Sequence, residues 1–226
     1  MEELFDRAEE YDDMLNQGLK LSGEGKEFFM HGRLALMQKH LPKDLIPSKI
    51  LDFGCGIGDT TEQIALLYPE AQVTGIDTAT EAIAYAERNK SSERLRFSTI
   101  SSFTDSGSFD LAYVNGVFHH IPLEFRSESA GIVHRALRKG GFFAFFENNP
   151  WNPGTMMVMS RIPFDRDAIT LSYLEARGLL SGVGFSILRS RFAFYFPAAL
   201  SFMRPIEPAL EALPLGAQYL VLAQKP

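Results

Sequence analysis

The 226-residue chain reads as an α/β domain built on a mostly parallel sheet. Three observations carry that reading. Short apolar runs alternate with helix-length amphipathic segments through the middle of the chain, which is the rhythm of strand–helix–strand units with right-handed crossovers. A glycine-rich turn, LDFGCGIGDTT at 51–61, joins the first apolar run to the helix after it. A hydrophobic content of 46% with 22% charged residues is that of a globular protein, and the length suits one substantial domain.

Taken in order, residues 3–20 and 26–41 carry helical patterning, broken at Gly23 and Gly25 and ended by Pro42 and Pro47. KILDFGC (49–55) is a buried strand entering glycines. Residues 60–68 form a helix stopped by Pro69, and QVTGID (72–77) is the second strand. TEAIAYAERN (80–89) is a helix with Thr80 as its N-cap. LRFSTI (95–100) and FDLAYVN (109–115) are strands three and four. A helix over 123–138 closes at Lys139-Gly140-Gly141, a basic end followed by a glycine stop. FFAFFE (142–147) is strand five.

After residue 147 the rhythm changes. Residues 148–168 read as an irregular insert, 171–180 as a helix, 185–194 as strand six, 195–215 as a proline-rich insert and 218–225 as the last strand. No segment between the last two strands is a convincing crossover helix, so they are expected to be antiparallel neighbours. The organisation expected is a single domain over 1–226, with a helical cap at 1–47, a ligand-binding core at 48–147 and two inserts at 148–168 and 195–215.

Composition excludes several classes. No apolar run reaches the roughly 18 residues of a membrane-spanning helix. The acidic start MEELFDRAEEYDD lacks the apolar centre of a signal peptide, so a cytoplasmic protein is expected. One cysteine, Cys55, excludes an internal disulfide framework and any multi-cysteine metal site, and no metal is expected. The net charge of −6 argues against nucleic acid, whose binding rests on phosphate neutralisation. RSRF at 189–192 is the strongest basic patch, and it reads as ordinary surface arginines near a strand end.

The glycine turn carries the most chemistry. Asp52, Gly54, Gly56 and Gly58 give Asp-x-Gly-x-Gly-x-Gly between strand and helix, at the carboxyl end of the first strand, where open α/β sheets bind ligands. Dinucleotide sites carry the third glycine one position later. Here that position is Asp59, whose charge at a helix start would repel a pyrophosphate. Asp77 ends the second strand, where a carboxylate can accept both hydroxyls of a ribose.

With these residues in place, the segment 49–146 resembles the core of the class I S-adenosylmethionine-dependent methyltransferases. LDFGCGIG resembles their first motif, VTGID their ribose-binding strand, SFDLAYVNGVFHHIP their fourth strand, and RALRKGGFFAFFE the helix and strand that follow. The resemblance implies a Rossmann-like sheet of seven strands, mostly parallel with an antiparallel last strand, helices on both faces, and an N-terminal helical cap. It implies S-adenosylmethionine as cofactor. By position, Gly54 and Gly56 lie against the methionine part and Asp77 holds the ribose, with Asp52, Cys55, Gly58 and Thr78 completing the contacts. Family members often carry an acid that holds the adenine amine, and Ser101 stands at that position here. Ser101, Ser102 and Phe103 are therefore the adenine-side candidates. Asn115 is expected to touch the cofactor, and Tyr11 and Arg33 of the cap to cover it, the arginine pairing with the methionine carboxylate.

An acceptor belongs at the carboxyl ends of strands four and five. His119 and His120 have the titration range of a base, His120 being favoured by family position, and Glu147 is the third catalytic candidate. Beyond Glu147, ENNPWNP (147–153) resembles a Glu-His-Asn-Pro-x-Asn-Pro run in a bacterial branch of the family, with Asn148 where the histidine stands. It reads as the root of an acceptor lid, with Asn148, Asn149, Trp151 and Tyr195 as substrate-binding candidates and Glu147, Asn148 and Asn149 facing the pocket. Aromatics and methionines of the two inserts supply either that lid, a second small core or a homodimer contact. Arg161, Arg166 and Arg204 are read either as partners for an anionic acceptor or as surface salt-bridge residues. The expected function is methyl transfer to an oxygen or nitrogen of a small molecule, such as a sugar or secondary metabolite. The alternatives are a cofactor-binding protein without transferase chemistry, or a protein or tRNA methyltransferase.

Overall fold

A computed structural model describes residues 18–226 apart from 21, 105, 164, 166 and 167. The expected first helix (3–20) and Tyr11 thus lie largely or wholly outside the described residues. The chain runs α1 (Lys26–His40), β1 (Lys49–Phe53), α2 (Asp59–Leu67), β2 (Gln72–Asp77), α3 (Thr80–Lys90), β3 (Leu95–Thr99), β4 (Phe109–Asn115), α4 (Leu123–Ala136), β5 (Leu137–Asn148), α5 (Pro153–Met159), α6 (Tyr173–Val183), β6 (Ser186–Ala193), a 3₁₀ segment (Ala198–Ile206), α7 (Glu207–Leu210) and β7 (Gln218–Gln224).

Seven strands form one sheet in the order β3-β2-β1-β4-β5-β7-β6. β1, β2, β3, β4 and β5 pair in parallel, while β7 inserts antiparallel between β5 and β6. The sheet is covered on both faces, which is why its strands read as continuous apolar runs rather than alternating ones. Alternate side chains go to opposite layers. Ile50, Leu111, Tyr113, Phe142, Phe146 and Leu220 pack with Leu34 and Met37 of α1 and Ile64 of α2. Leu51, Phe53, Val114, Phe143, Phe145 and Val221 pack with Val133 of α4 and Leu180 of α6.

Several boundaries differ from the sequence reading. α4 ends at Ala136, and Leu137 already pairs with Phe109, so Lys139-Gly140-Gly141 lies inside β5 and closes no helix. The cation at that helix end comes from β7's far side: Lys225 Nζ donates to the His134 and Leu137 carbonyls, each at 2.7 Å. Thr80 is the first residue of α3 and not its cap; Ala79 holds that place, and its N–H is taken by Asp77 Oδ1 at 2.9 Å. The first insert is not irregular throughout, since it folds the helix α5. Asn152 caps α5 by accepting from Thr155 N at 2.9 Å, and Pro153 sits where its missing N–H costs nothing.

The glycine turn is fixed from beneath by β2. Gly54 N and Cys55 N both donate to the Ile76 carbonyl, at 2.7 and 3.1 Å, and Gly56 N donates to Asp77 Oδ2 at 2.8 Å. Gly58 then enters α2 at φ 84°, with the Phe97 ring only 2.6 Å from where a Cβ would stand. An alanine there is wrong for the backbone and for the space at once. Gly58→Ala is expected to cost about 2 kcal/mol, lowering the melting temperature of the ligand-free protein by roughly 4–8 °C. A thermal melt that shows no loss contradicts this account of the turn.

Candidate functional site

At the carboxyl ends of β1, β2 and β4, a cavity of about 820 Å³ opens between the glycine turn, α1 and the start of α4. Asp52, Gly54, Cys55, Gly56, Asp77, Thr78, Asn115 and His120 of the sequence reading line it, and so does Arg33. Position follows from topology. Parallel strands end on one edge, and the turns leaving them converge there.

Gly56 marks the ligand side of the turn. A Cβ built on it meets no protein atom within 4 Å, so a side chain would occupy cavity space. Across from the turn, Arg33 is 7% exposed. Its Nε donates to the Tyr113 hydroxyl at 3.1 Å and its Nη1 to Gln218 Oε1 at 3.1 Å. Both partners are neutral, and among the described residues no ion pair involves this guanidinium. A buried cation held by neutral oxygens beside a cavity is prepared for an anionic ligand group. Asp77, its two oxygens tied to Gly56 N and Ala79 N, presents an oriented carboxylate in the middle of the cavity wall.

Asp52 is 2% exposed and accepts from Thr61 Oγ1 at 2.7 Å. Burial raises its pKa to about 7, against the opposing hydrogen bond from Thr61. Burial also pushes the Cys55 thiol well up, which keeps it protonated and a poor nucleophile. Asp59, expected to repel phosphate, is paired with Lys26 at 2.8 Å and with Lys90. Burial would raise its carboxyl, yet the two lysines overcome this and hold it below the ordinary range. The acid therefore serves as a tie between the cap helix α1 and the start of α2. No signal in the sequence points to it, because its partners stand 33 and 31 residues away.

The adenine-side candidates fall elsewhere. Ser101 and Ser102 form an exposed turn bonded to Thr99 Oγ1 at 3.0 and 2.8 Å. Phe103 turns away and packs on Phe109, ring centroids 6.0 Å apart. The apolar wall near Asp77 is made instead by Ala79, Ala82 and Ile100, with Ile121 and Phe125 from the start of α4.

Of the three acid–base candidates, only His120 reaches the cavity. Glu147 is 1% exposed and wholly engaged. It accepts from Phe118 N at 2.8 Å, His119 N at 3.3 Å and Asn148 N at 3.1 Å, and its Oε2 lies 2.6 Å from His119 Nδ1. His119 is 3% exposed, with Nε2 3.4 Å from Asp165 Oδ1. Burial opposes its charge, but Glu147 and Asp165 outweigh that and push its pKa to about 10. His120 Nε2 lies 3.2 Å from the same Asp165 oxygen. Burial raises the Asp165 carboxyl, and the two histidines bring it below the usual range.

The ENNPWNP stretch also lies off the cavity. Asn149, fully buried, donates to the Pro214 and Gly216 carbonyls at 3.1 and 2.8 Å and accepts from Trp151 N. Asn152 donates to Leu215 O at 2.7 Å. Asn148 accepts from Gln218 Nε2 at 3.0 Å, which places it one residue behind Arg33. Glu147 and Asn149 thus face the protein interior rather than the pocket. Trp151 is about half exposed and packs edge-on against Tyr173. The Tyr195 hydroxyl, with one proton to donate, lies 2.5 Å from the Leu210 carbonyl and 2.7 Å from that of Leu213. Arg204 pairs with Glu24 at 2.7 Å and lies over the Phe28 ring; Arg161 is exposed, and Arg166 is outside the described residues.

Residues 51–143 match a family model described as "Methyltransferase domain". Over that segment the chain is similar to methyltransferase domains. Malonyl-[acyl-carrier protein] O-methyltransferase of Legionella pneumophila is 33% identical over 121 residues, 47% of this chain and 40% of that protein. Trans-aconitate 2-methyltransferase of Deinococcus radiodurans is 36% identical over 104 residues, 44% of this chain and 39% of that one. The chain thus spans about 40% of the length of these two curated relatives. A solved structure of Haemonchus contortus phosphoethanolamine N-methyltransferase 2, in complex with S-adenosyl-L-methionine, has the same fold at TM-score 0.67 and 18% identity, covering 99% of this chain and 59% of that one. The matched segment supplies most of the cavity lining, while Lys26, Glu27, Met30 and Arg33 of α1 and everything after residue 143 lie outside it.

The raised pKa of Asp52 has a thermodynamic sign. Its folded pKa exceeds the unfolded one, so the carboxyl's contribution to stability is present at low pH and lost as pH climbs from the ordinary carboxylate range through about 7. Asp52→Asn removes that loss. It is expected to raise the melting temperature of the ligand-free protein more at pH 8 than at pH 5, and an equal shift at both pH values contradicts the assignment.

Proposed function

We propose that the protein transfers a methyl group from S-adenosylmethionine to an oxygen or nitrogen of a small-molecule acceptor. The observation that carries the reading is the joint placement of Arg33, Gly56 and Asp77 on one cavity: a buried cation with neutral partners, a bare backbone and an oriented carboxylate. These suit, in turn, the carboxylate, the main body and the ribose hydroxyls of that cofactor.

When bound, S-adenosylmethionine supplies an electrophilic methyl group on a sulfonium centre. The chain's own task is to hold and align. Arg33 would take the carboxylate. Asp52, which lines the cavity and is able to ionise near neutrality, would face the cationic end of the cofactor. Ala79, Ala82 and Ile100 would flank the adenine in place of a dedicated acid. His120 would meet the acceptor, with Ile121 and Phe125 excluding water beside it.

Support for a small acceptor comes from the net charge of −6 and from a cavity that the cap helix partly covers. By their names, the two curated relatives act on malonyl-[acyl-carrier protein] and on trans-aconitate. A cytoplasmic site of action remains the reading of the sequence, and no described helix is long and apolar enough to cross a membrane.

Calorimetry with S-adenosylmethionine and S-adenosylhomocysteine tests the first step, and binding of neither overturns the reading. Arg33→Ala is expected to weaken both by about 10- to 100-fold, the loss of a charge-assisted contact. His120→Ala is expected to lower kcat by about 100-fold while leaving cofactor affinity in place. Binding without turnover on a broad panel of small hydroxyl and amine acceptors favours a cofactor-binding protein instead. Turnover on tRNA or protein alone favours a macromolecular acceptor.

A further inference from the structure

Behind the cavity wall, two histidines and a carboxylate converge. We propose that His119, His120 and Asp165 bind a single divalent transition-metal ion of the zinc class. The site goes beyond the methyl-transfer reading, and its geometry does not depend on it.

Distances come first. His119 Nε2 lies 3.4 Å from Asp165 Oδ1 and His120 Nε2 lies 3.2 Å from the same oxygen. Two donors that are each about 2.0–2.1 Å from one zinc ion stand roughly 2.9–3.4 Å apart between the right and tetrahedral angles. All three donor atoms lie within 4.8 Å of one another, so an ion draws them together through small rotations.

Chemistry and charge agree. Two imidazoles with one carboxylate suit zinc and its neighbours better than calcium or magnesium, which prefer oxygen. Glu147 supplies the outer support that such sites use. Its Oε2, 2.6 Å from His119 Nδ1, accepts that ring's N–H, which leaves Nε2 as the atom facing Asp165. Three backbone N–H groups, from Phe118, His119 and Asn148, fix the Glu147 carboxylate in turn. Glu147 and Asp165 are 1% and 7% exposed; when the ion binds, His119 gives up the proton on Nε2, and the ion supplies in its place the positive charge that the two carboxylates face.

Position gives the ion a role. Asp165 belongs to the segment after α5, whereas the histidines follow β4. An ion here clamps that segment to the wall of the cavity, beside the acceptor end that His120 lines. Three protein donors leave a fourth tetrahedral position for water or an acceptor oxygen. With the ion bound, His120 acts as a ligand, and the ion's charge does the work of making an acceptor hydroxyl acidic.

The test uses tag-free, full-length protein stripped with chelator. Calorimetric titration with zinc sulfate is expected to show one equivalent bound per chain. Titration with cobalt(II) is expected to give the intense visible bands of a low-coordinate, nitrogen-ligated ion. Asp165→Asn and His120→Asn are each expected to weaken zinc binding at least tenfold. Glu147→Gln, which touches no metal, is expected to weaken it by about 10- to 100-fold. Circular-dichroism melts establish that each variant is folded; where one is not, the wild-type cobalt spectrum decides. A cobalt spectrum no stronger than that of the free aqueous ion, or equal zinc binding by wild type and the folded Asp165→Asn variant, overturns the proposal. Since metal binding is read without cofactor or acceptor, failure here is separate from failure of the methyltransferase reading.

Discussion

The cavity wall that follows β4 depends on one buried carboxylate. Glu147 is the next-to-last residue of β5, follows a run of phenylalanine and alanine from 142 to 146, and is 1% exposed. A charge in that position survives only if fully hydrogen-bonded. The chain meets the demand with three backbone N–H groups and an imidazole, and in doing so shapes the loop after β4. The loop's path sets His119 inward and turns His120 to the cavity. His119 in turn holds Asp165, and its carbonyl accepts from Ile169 N at 2.9 Å, so the segment leading to α6 is positioned by the same group. The carboxylate that reads as an acid or base is thus the foundation on which the reactive wall is built.

The side of the cavity under α1 has a second chain of dependence. Arg33 is set by Tyr113 from β4 and Gln218 from β7, and Gln218 is set by Asn148 from β5. One guanidinium thereby joins the cap helix to three strands. Asp59 repeats the pattern at the other end of the cavity, with Lys26 from the cap and Lys90 from α3. The cap is therefore docked by two polar contacts that flank the cavity, and by the apolar face carrying Leu34 and Met37. The partly exposed Lys26–Asp59 pair contributes little to stability on its own, so its value here lies in fixing geometry.

Much of this was legible in the sequence. Strands buried on both faces must be apolar throughout, and the runs at 49–53, 72–77, 109–115 and 142–147 announced themselves for that reason. The glycine turn and Asp77 were legible because their chemistry is local. Arg33 was accessible by resemblance alone. What stayed hidden are pairings over distance: Arg33 with Gln218 is a contact between residues 185 apart, and His119 with Asp165 one between residues 46 apart, and neither leaves a periodic trace. ENNPWNP misled for a different reason. Asparagines next to prolines resemble ligand-binding groups, but here the side chains of Asn149 and Asn152 satisfy carbonyls at 214–216 that would otherwise lack donors. Phe103 was read as a cavity residue, and it packs on Phe109 outside the cavity lining instead.

The place of β7 has a consequence for how the chain assembles. It is the last strand in chain order, yet it lies between β5 and β6. Until it arrives, β6 has no partner in the sheet and β5 presents an open edge of aromatic residues from 142 to 146. Such edges invite pairing with other chains, and contacts of long sequence separation form late. The interval before β7 docks is thus the point at which a nascent or refolding molecule is most exposed to association. Gln218 arrives with the same strand, so closing of the sheet and arming of Arg33 are one event.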